Sequence, residues 1–322
     1  MKYCIGVDLG GTNIAVGLIS LDEKSILRKK SVKTRAPRSC EEISLDIKNV
    51  CLDLCREEGI SLSSLEWIGV AAPGIVKSGI VVSAVNLGWR EEKFADIITS
   101  ITGVPAYVAN DANAAAYAES KWGCGVGEDS LIAITLGTGV GGGIVFNDRI
   151  WEGFNGFAAE IGHIVISVGG RRCGCGLRGC LEAYCSATAL VAETKRMMNL
   201  YPDSIMWEIV ENDINRVDGR TAFAANKRND LAARQVIDDF VNYLAIGIAN
   251  IINVFQPSVV CVGGGISGQG DELMNPLRER LKYTSFGTKD SRTRVEVATF
   301  KNDAGIIGAG LLGLMEDNKN EH

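Results

Sequence analysis

Only two histidines, His163 and the C-terminal His322, occur among the 322 residues, which leaves His163 as the one imidazole inside the chain. A basic stripe is also missing. The 33 Lys and Arg are scattered among 39 Asp and Glu for a formal net charge of -6, which offers nothing to neutralise a row of phosphates and argues against a nucleic-acid partner. There is no Gly-x4-Gly-Lys-Ser/Thr pattern, which excludes a P-loop nucleotide enzyme. No secretory signal is read at the N-terminus, because Asp8 and Gly10 interrupt the apolar run after Tyr3. Uninterrupted apolar runs of membrane length are lacking too. The uncharged stretch 130–147 contains Gly137, Gly139, Gly141, Gly142 and Gly143, and the stretch 240–270 is broken by Pro257. Within that second stretch Asn242, Asn250 and Asn253 fall in one narrow helical wedge, a polar stripe suited to a packed soluble helix or a subunit contact. No membrane partner is expected, and the chain reads as cytoplasmic.

What is present is a globular composition, 46% hydrophobic and 22% charged, long enough for two domains of about 100–200 residues each. Glycine is in excess. Its 38 residues are about 12% of the chain against a usual value of about 7%, which points to many tight turns or close backbone approaches. Ten cysteines in a reducing compartment direct attention to metal ligation or buried thiols rather than disulfides. Cys4, Cys40, Cys51, Cys55, Cys185 and Cys261 read as small apolar core residues, and Cys124 has no assigned role. Cys173, Cys175 and Cys180 stand crowded together.

Residues 3–19 read as strand, glycine turn and strand, a hairpin tipped by Gly10 and Gly11. Ser39 and Glu42 form a capping-box pattern, followed by Ile43, Ile47, Val50, Cys51 and Leu54 at helical spacing and by Gly59 as the stop. Strand-like runs at 66–71, 106–109, 131–136 and 259–262 alternate with helical patterns, which argues an α/β fold. The segments Ile5-Gly6-Val7-Asp8-Leu9-Gly10 and Ile132-Ala133-Ile134-Thr135-Leu136-Gly137 align at an offset of 127 residues, and each runs on into a glycine turn and an apolar strand. Two similar lobes are expected, each with a glycine hairpin whose backbone N–H groups can cradle an anion without a basic side chain.

Six motifs in order resemble the ROK (repressor, open reading frame, kinase) family of sugar kinases, most of all its glucokinases of the Gram-positive type. They are Asp8-Leu9-Gly10-Gly11-Thr12-Asn13, Ala72-Pro73-Gly74, Asn110-Asp111, Leu136-Gly137-Thr138-Gly139-Val140-Gly141, Glu160-Ile161-Gly162-His163 and Cys173-Gly174-Cys175-Gly176 continuing to Gly179-Cys180-Leu181-Glu182. The resemblance runs from Val7 to about Gly310. It implies an actin-like ATPase (ribonuclease H-like) fold of two α/β lobes around a central cleft. The expected boundaries are a small lobe at 1–111, completed by 302–322, and a large lobe at 112–301 with the zinc loop and subunit-contact helices. It further implies ATP-dependent phosphorylation of a hexose at its 6-hydroxyl, foremost glucose, with mannose, N-acetylmannosamine, fructose or allose as alternatives, and a homodimer or homotetramer.

Phosphoryl transfer to an alcohol needs positioning, charge neutralisation and a base for the alcohol proton. Asp111 lies where a strand gives way to an alanine-rich helix, a position that suits either a helix cap or a base. The resemblance implies the base, with Gly74, Asn86, Asn110, Asp111, Glu160, His163 and Glu182 around the sugar. His163, Cys173, Cys175 and Cys180, at separations of 10, 2 and 5, supply a closed tetrahedral set of donors for a structural zinc ion. Glu160, three residues before His163, points the same way on a helical turn, and Glu182 follows Cys180 by two residues. For ATP, Gly10, Gly11, Thr12 and Asn13 resemble the first phosphate loop, Thr138 and Gly139 the second, and Gly264 and Gly265 the adenosine segment. Asp8 would hold Mg²⁺ through water.

Two rival readings are set against this one. Gly263-x-Gly265-x-x-Gly268 fits a dinucleotide fingerprint and admits an NAD-linked oxidoreductase, although the match comes late in the chain with no evident hydride-transfer acid nearby. A sugar-responsive repressor of the same family would carry a helix-turn-helix domain before the first hairpin, and that hairpin begins at Tyr3.

Overall fold

In the computed structural model, which describes residues 1–286 and 292–317, the chain forms β1 (Tyr3–Leu9), β2 (Asn13–Ser20), β3 (Ser25–Lys33), α1 (Cys40–Glu58), β4 (Leu65–Ala72), β5 (Ile75–Lys77), β6 (Ile80–Ala84), β7 (Trp89–Glu92), α2 (Phe94–Thr102), β8 (Ala106–Asn110) and α3 (Asp111–Lys121). There follow β9 (Ser130–Leu136), β10 (Val140–Phe146), β11 (Arg149–Ile150), α4 (Glu182–Cys185), α5 (Ala187–Leu200), α6 (Ile205–Ile209), α7 (Thr221–Asn226) and α8 (Leu231–Phe255). The chain ends with β12 (Val259–Gly263), α9 (Asp271–Thr284), β13 (Arg294–Val297), α10 (Ala304–Leu311) and α11 (Gly313–Asp317).

These elements make two compact units, one of Met1–Leu131, Gly143–Ala159 and Asn302–His322, the other of Ile132–Gly142 and Glu160–Lys301. The expected boundary at 111/112 therefore moves. The alanine-rich α3 stays with the first unit because Ala114 is fully buried in one cluster with Ala71 and Ala309.

In the first unit the sheet order is β3-β2-β1-β4-β8, with β1 antiparallel to β2 and parallel to β4, and β4 parallel to β8. The second sheet has the order β11-β10-β9-β12-β13. Taken in chain order, both orders are 3-2-1-4-5, so the repeat at an offset of 127 extends from a hairpin to a whole sheet topology.

The capping box at the start of α1 forms as its sequence requires: Ser39 accepts from the Glu42 N–H and the Glu42 carboxylate accepts from the Ser39 N–H. Gly59 ends the helix in the left-handed region at φ 75°. Ile43, Ile47, Cys51 and Leu54 join Ile5, Val7 and Leu9 of β1 in a single core cluster, each large aliphatic contributing about 1.5–3 kcal/mol on burial.

On the opposite face of this sheet α10 lies nearly in contact with backbone. A Cβ on Gly69 would sit 1.7 Å from the Ala309 carbonyl oxygen, and one on Gly308 would sit 1.8 Å from that of Ala114. The glycine excess is spent in part on these approaches.

The six cysteines expected in the core are all buried and all free. By length and composition α8 could cross a membrane, yet 61% of its most apolar window is buried inside the protein, as in a core helix. The expected polar stripe lies on its open side, Asn242 and Asn250 half-buried and Asn253 exposed. Fraying is expected of Asp317 to His322; Asp317 closes α11, and 318–322 lie outside the described residues.

Gly308→Ala is expected to lower the free energy of unfolding by about 1–3 kcal/mol, because neither backbone can yield cheaply. Thermal and denaturant unfolding measure this, and an unchanged midpoint would show that α10 does not approach α3 so closely.

Candidate functional site

The first hairpin ends at Leu9 paired with Ile14, leaving Gly10 to Asn13 as its tip. The Gly10 N–H donates to the Asn13 carbonyl at 2.9 Å. Buried Thr34, just past β3, holds the tip from outside: its hydroxyl donates to the Gly10 carbonyl at 2.6 Å and its N–H to the Thr12 carbonyl at 2.9 Å. Gly11, Thr12 and Asn13 stay exposed, with Gly11 facing Asn86. Asp8 is the last half-buried residue of β1 before the turn. Burial pushes its carboxyl up to about 6, and the nearby charge of Asp111 pushes in the same direction. Gly305, in the first turn of α10, packs so closely on Asp8 that a Cβ there would lie 2.8 Å from Oδ2.

At the end of β8 the roles of Asn110 and Asp111 separate. Asn110 is the helix cap: its Oδ1 accepts from the N–H groups of Ala112 at 3.0 Å and Asn113 at 3.2 Å. Its Nδ2 donates to the Gly74 carbonyl at 2.8 Å, which ties the strand end to the Ala72-Pro73-Gly74 turn. Asp111, relieved of capping, is the first residue of α3. One oxygen accepts from the Ala112 N–H at 2.8 Å. Crowding by neighbouring atoms raises its carboxyl above the ordinary value, partly offset by the Ala112 N–H and the Asn110 side chain.

In the second unit, the turn between β9 and β10 is closed by the Gly137 N–H donating to the Gly139 carbonyl at 3.0 Å. Gly264, at φ 82°, rests on Leu136, where a Cβ would meet backbone at 2.5 Å. The start of α5 grips the other side: the Ala187 N–H donates to the Gly137 carbonyl and the Thr188 hydroxyl to the Thr138 carbonyl, both at 2.8 Å. Gly265 opens the short turn of helix that precedes α9 and has open space where a side chain would project.

The zinc-type donors converge. The Cys173 Sγ lies 3.7 Å from His163 Nδ1, the Cys175 and Cys180 sulfurs are 3.7 Å apart, and all four donor atoms fall within 4.8 Å of one another. A tetrahedral ion with bonds of about 2.3 Å to sulfur has edges of about 3.8 Å, so these residues fit one zinc ion. Burial pushes the Cys173 thiol up to about 12, whereas the Leu177 N–H lowers the more exposed Cys175. Cation binding at neutral pH must therefore displace protons. His163 turns Nδ1 to this cluster and leaves Nε2 3.9 Å from the Glu160 carboxylate. The turn into Glu160 is made by Ala159 in the left-handed region, at φ 64°. Glu182 begins α4, with Oε2 accepting from the Val140 N–H at 3.0 Å and Oε1 3.5 Å from the Cys173 sulfur.

Asp8, Gly10, Gly11, Thr12, Asn13, Gly74, Asn86, Asn110 and Asp111 thus belong to one unit, and Thr138, Gly139, Glu160, His163, Cys173, Cys175, Cys180, Glu182, Gly264 and Gly265 to the other. Sequence reasoning missed Thr34, Gly305 and Thr188. Thr34 and Gly305 act at long range with no motif around them; Thr188 could have been found from the Ser186 cap that opens α5.

The family profile described as "ROK family" matches residues 4–316. A glucokinase of Halalkalibacterium halodurans is 35% identical over 99% of this chain and 97% of its own length. The glucokinase of Thermotoga maritima is 35% identical over 95% of both chains. Among solved structures, a ROK family glucokinase from Streptomyces griseus in complex with glucose and AMPPNP superposes with a TM-score of 0.79 at 34% identity, covering 97% of this chain and 99% of that one. The twofold 3-2-1-4-5 sheet order and this likeness identify the α/β architecture as the actin-like ATPase (ribonuclease H-like) fold. With the family profile spanning nearly its whole length, the chain belongs to the ROK family.

Proposed function

We propose that this protein transfers the γ-phosphoryl group of ATP to the 6-hydroxyl of a hexose, and that the hexose is glucose. The observation that carries the reading is Asp111, a carboxylate freed from capping by Asn110 and placed at the C-terminal end of a strand, its carboxyl raised above the ordinary value. The glucokinases among its relatives supply the sugar. NAD-linked hydride transfer has no support in the family match, and the repressor reading leaves the arrangement of Asp111 without a purpose.

Asp111 takes the proton of the 6-hydroxyl as that oxygen bonds to the γ-phosphorus and the bond to the β,γ-bridging oxygen breaks, releasing ADP. Asn110 keeps one amide hydrogen on Gly74 and has a second for a sugar hydroxyl. Glu160, His163 through Nε2, Glu182, Gly74 and Asn86 are assigned the remaining hydroxyls. Gly11 to Asn13, Thr138 and Gly139 present backbone N–H groups to phosphate oxygens, Gly10 shapes the first turn with its own N–H on the Asn13 carbonyl, and Gly264 and Gly265 leave room for the adenosine.

The crowded carboxylates Asp8 and Asp111 fit a divalent cation, and Asp8 would hold it; Mg²⁺ when bound neutralises charge on the phosphates. His163, Cys173, Cys175 and Cys180 would hold a structural zinc ion, which would fix the histidine's tautomer. A cytoplasmic location and a homodimer or homotetramer complete the proposal.

A coupled ADP-release assay across glucose, mannose, allose, fructose and N-acetylmannosamine tests the function. Glucose is expected to give the highest kcat/KM; a clear preference for another sugar reassigns the substrate, and inertness toward all five refutes the reading. Asp111→Asn is expected to bind sugar normally and to lose about 10²–10⁴-fold in turnover, whereas near-normal turnover would remove Asp111 from the role. Cys175→Ala is expected to lose zinc, read by metal analysis, together with about 10–100-fold in sugar affinity; retention of both would separate the metal from the sugar.

The Asp8 carboxyl, raised to about 6 in the fold, contributes stability at low pH that is lost as pH rises from about 4 through 6. The loss amounts to at most about 3 kcal/mol. Without nucleotide, Asp8→Asn should therefore unfold at the same temperature as the parent near pH 4 and at a higher temperature at pH 8. An equal difference at both values would contradict the assignment.

A further inference from the structure

One carboxylate touches two parts of the second unit that the proposed chemistry uses separately. Glu182 Oε2 accepts from the Val140 N–H at 3.0 Å, and it lies so close over Gly139 that a Cβ there would be 2.4 Å away. The other oxygen, Oε1, is 3.5 Å from the sulfur of Cys173, one of the four metal donors. The Cys173 thiol donates to this oxygen, which ties the placement of the Glu182 carboxylate to that of a metal donor.

The chain between His163 and Cys180 is mostly irregular and exposed, and a metal ion would order it. Glu182 follows Cys180 by two residues and opens α4, and the start of α5 then holds the Gly137 and Thr138 carbonyls. A short segment, residues 182–188, thereby carries the placement of the metal loop to the turn at 137–140.

We infer that Glu182 is a positioning residue that couples metal occupancy to nucleotide affinity: a loaded cluster holds the carboxylate where it fixes the Val140 N–H and shapes the turn for phosphate. This rests on the reading of that turn as a nucleotide-phosphate site. It is separate from the assigned contact with sugar and is therefore read with no sugar present.

The test measures AMPPNP affinity by titration calorimetry without sugar, before and after zinc is stripped with dipicolinate, in the parent, Glu182→Ala and Glu182→Gln. Zinc content is determined in parallel. Stripping is expected to weaken AMPPNP binding roughly tenfold in the parent, within the range usual for coupled sites. Zinc-loaded Glu182→Ala should start about that much weaker and lose less than about twofold on stripping. Glu182→Gln, whose amide oxygen still accepts the Val140 N–H, should retain most of the loaded affinity. An equal loss on stripping in the parent and Glu182→Ala, or no loss in the parent, would overturn the coupling while leaving the kinase reading intact. Failure of the loaded parent to bind AMPPNP would instead remove the nucleotide reading and the coupling with it.

Discussion

Three thiolates beside an imidazole nitrogen, all within 4.8 Å of one another, repel without a cation, and as thiols they gain only weak hydrogen bonds from the approach. Around this constraint much of the second unit is arranged. The irregular loop carrying the cysteines has few buried side chains other than Cys173 and Cys180. His163 owes its orientation to the cluster, with Nε2 left toward Glu160. Glu182 and the gripping start of α5 follow within eight residues of Cys180. Under the proposed function, metal ligation, sugar recognition and support of a phosphate turn are in this sense one packing problem.

The first unit solves a different problem, holding negative charge where it is unfavourable. Burial raises the Asp8 carboxyl, the charge of Asp111 pushes it the same way, and the fold accepts the destabilisation near neutral pH. A stable scaffold makes that tolerable: α1 seals one face of the five-stranded sheet with aliphatic side chains, and α10 seals the other by close approach over glycines. Strain and misplaced charge collect at such sites because function, rather than stability, selects them.

The parts legible in the sequence were local. The Ser39 and Glu42 capping box, the Gly59 stop and the two glycine hairpins each lie in a few consecutive residues, and each formed as read. The convergence of His163, Cys173, Cys175 and Cys180 was legible because soft ligands at short spacing have few other uses. Long-range relations were hidden. Nothing around Thr34 marks it as the clamp on Gly10 and Thr12, and nothing around Gly305 marks its contact with Asp8. Asn110 and Asp111 are equally good caps by residue type, so only the observed hydrogen bonds could assign the capping to Asn110. The unit boundaries were misjudged for the same reason: residues 143–159 return to the first unit without any change of composition.

Zinc K-edge X-ray absorption on the purified protein, with metal stoichiometry, tests the central constraint most directly. One zinc per chain is expected, with three sulfur neighbours near about 2.3 Å and one nitrogen near about 2.0–2.1 Å. A protein free of metal that still binds hexose and nucleotide at full affinity, or an ion surrounded by oxygen, would contradict it.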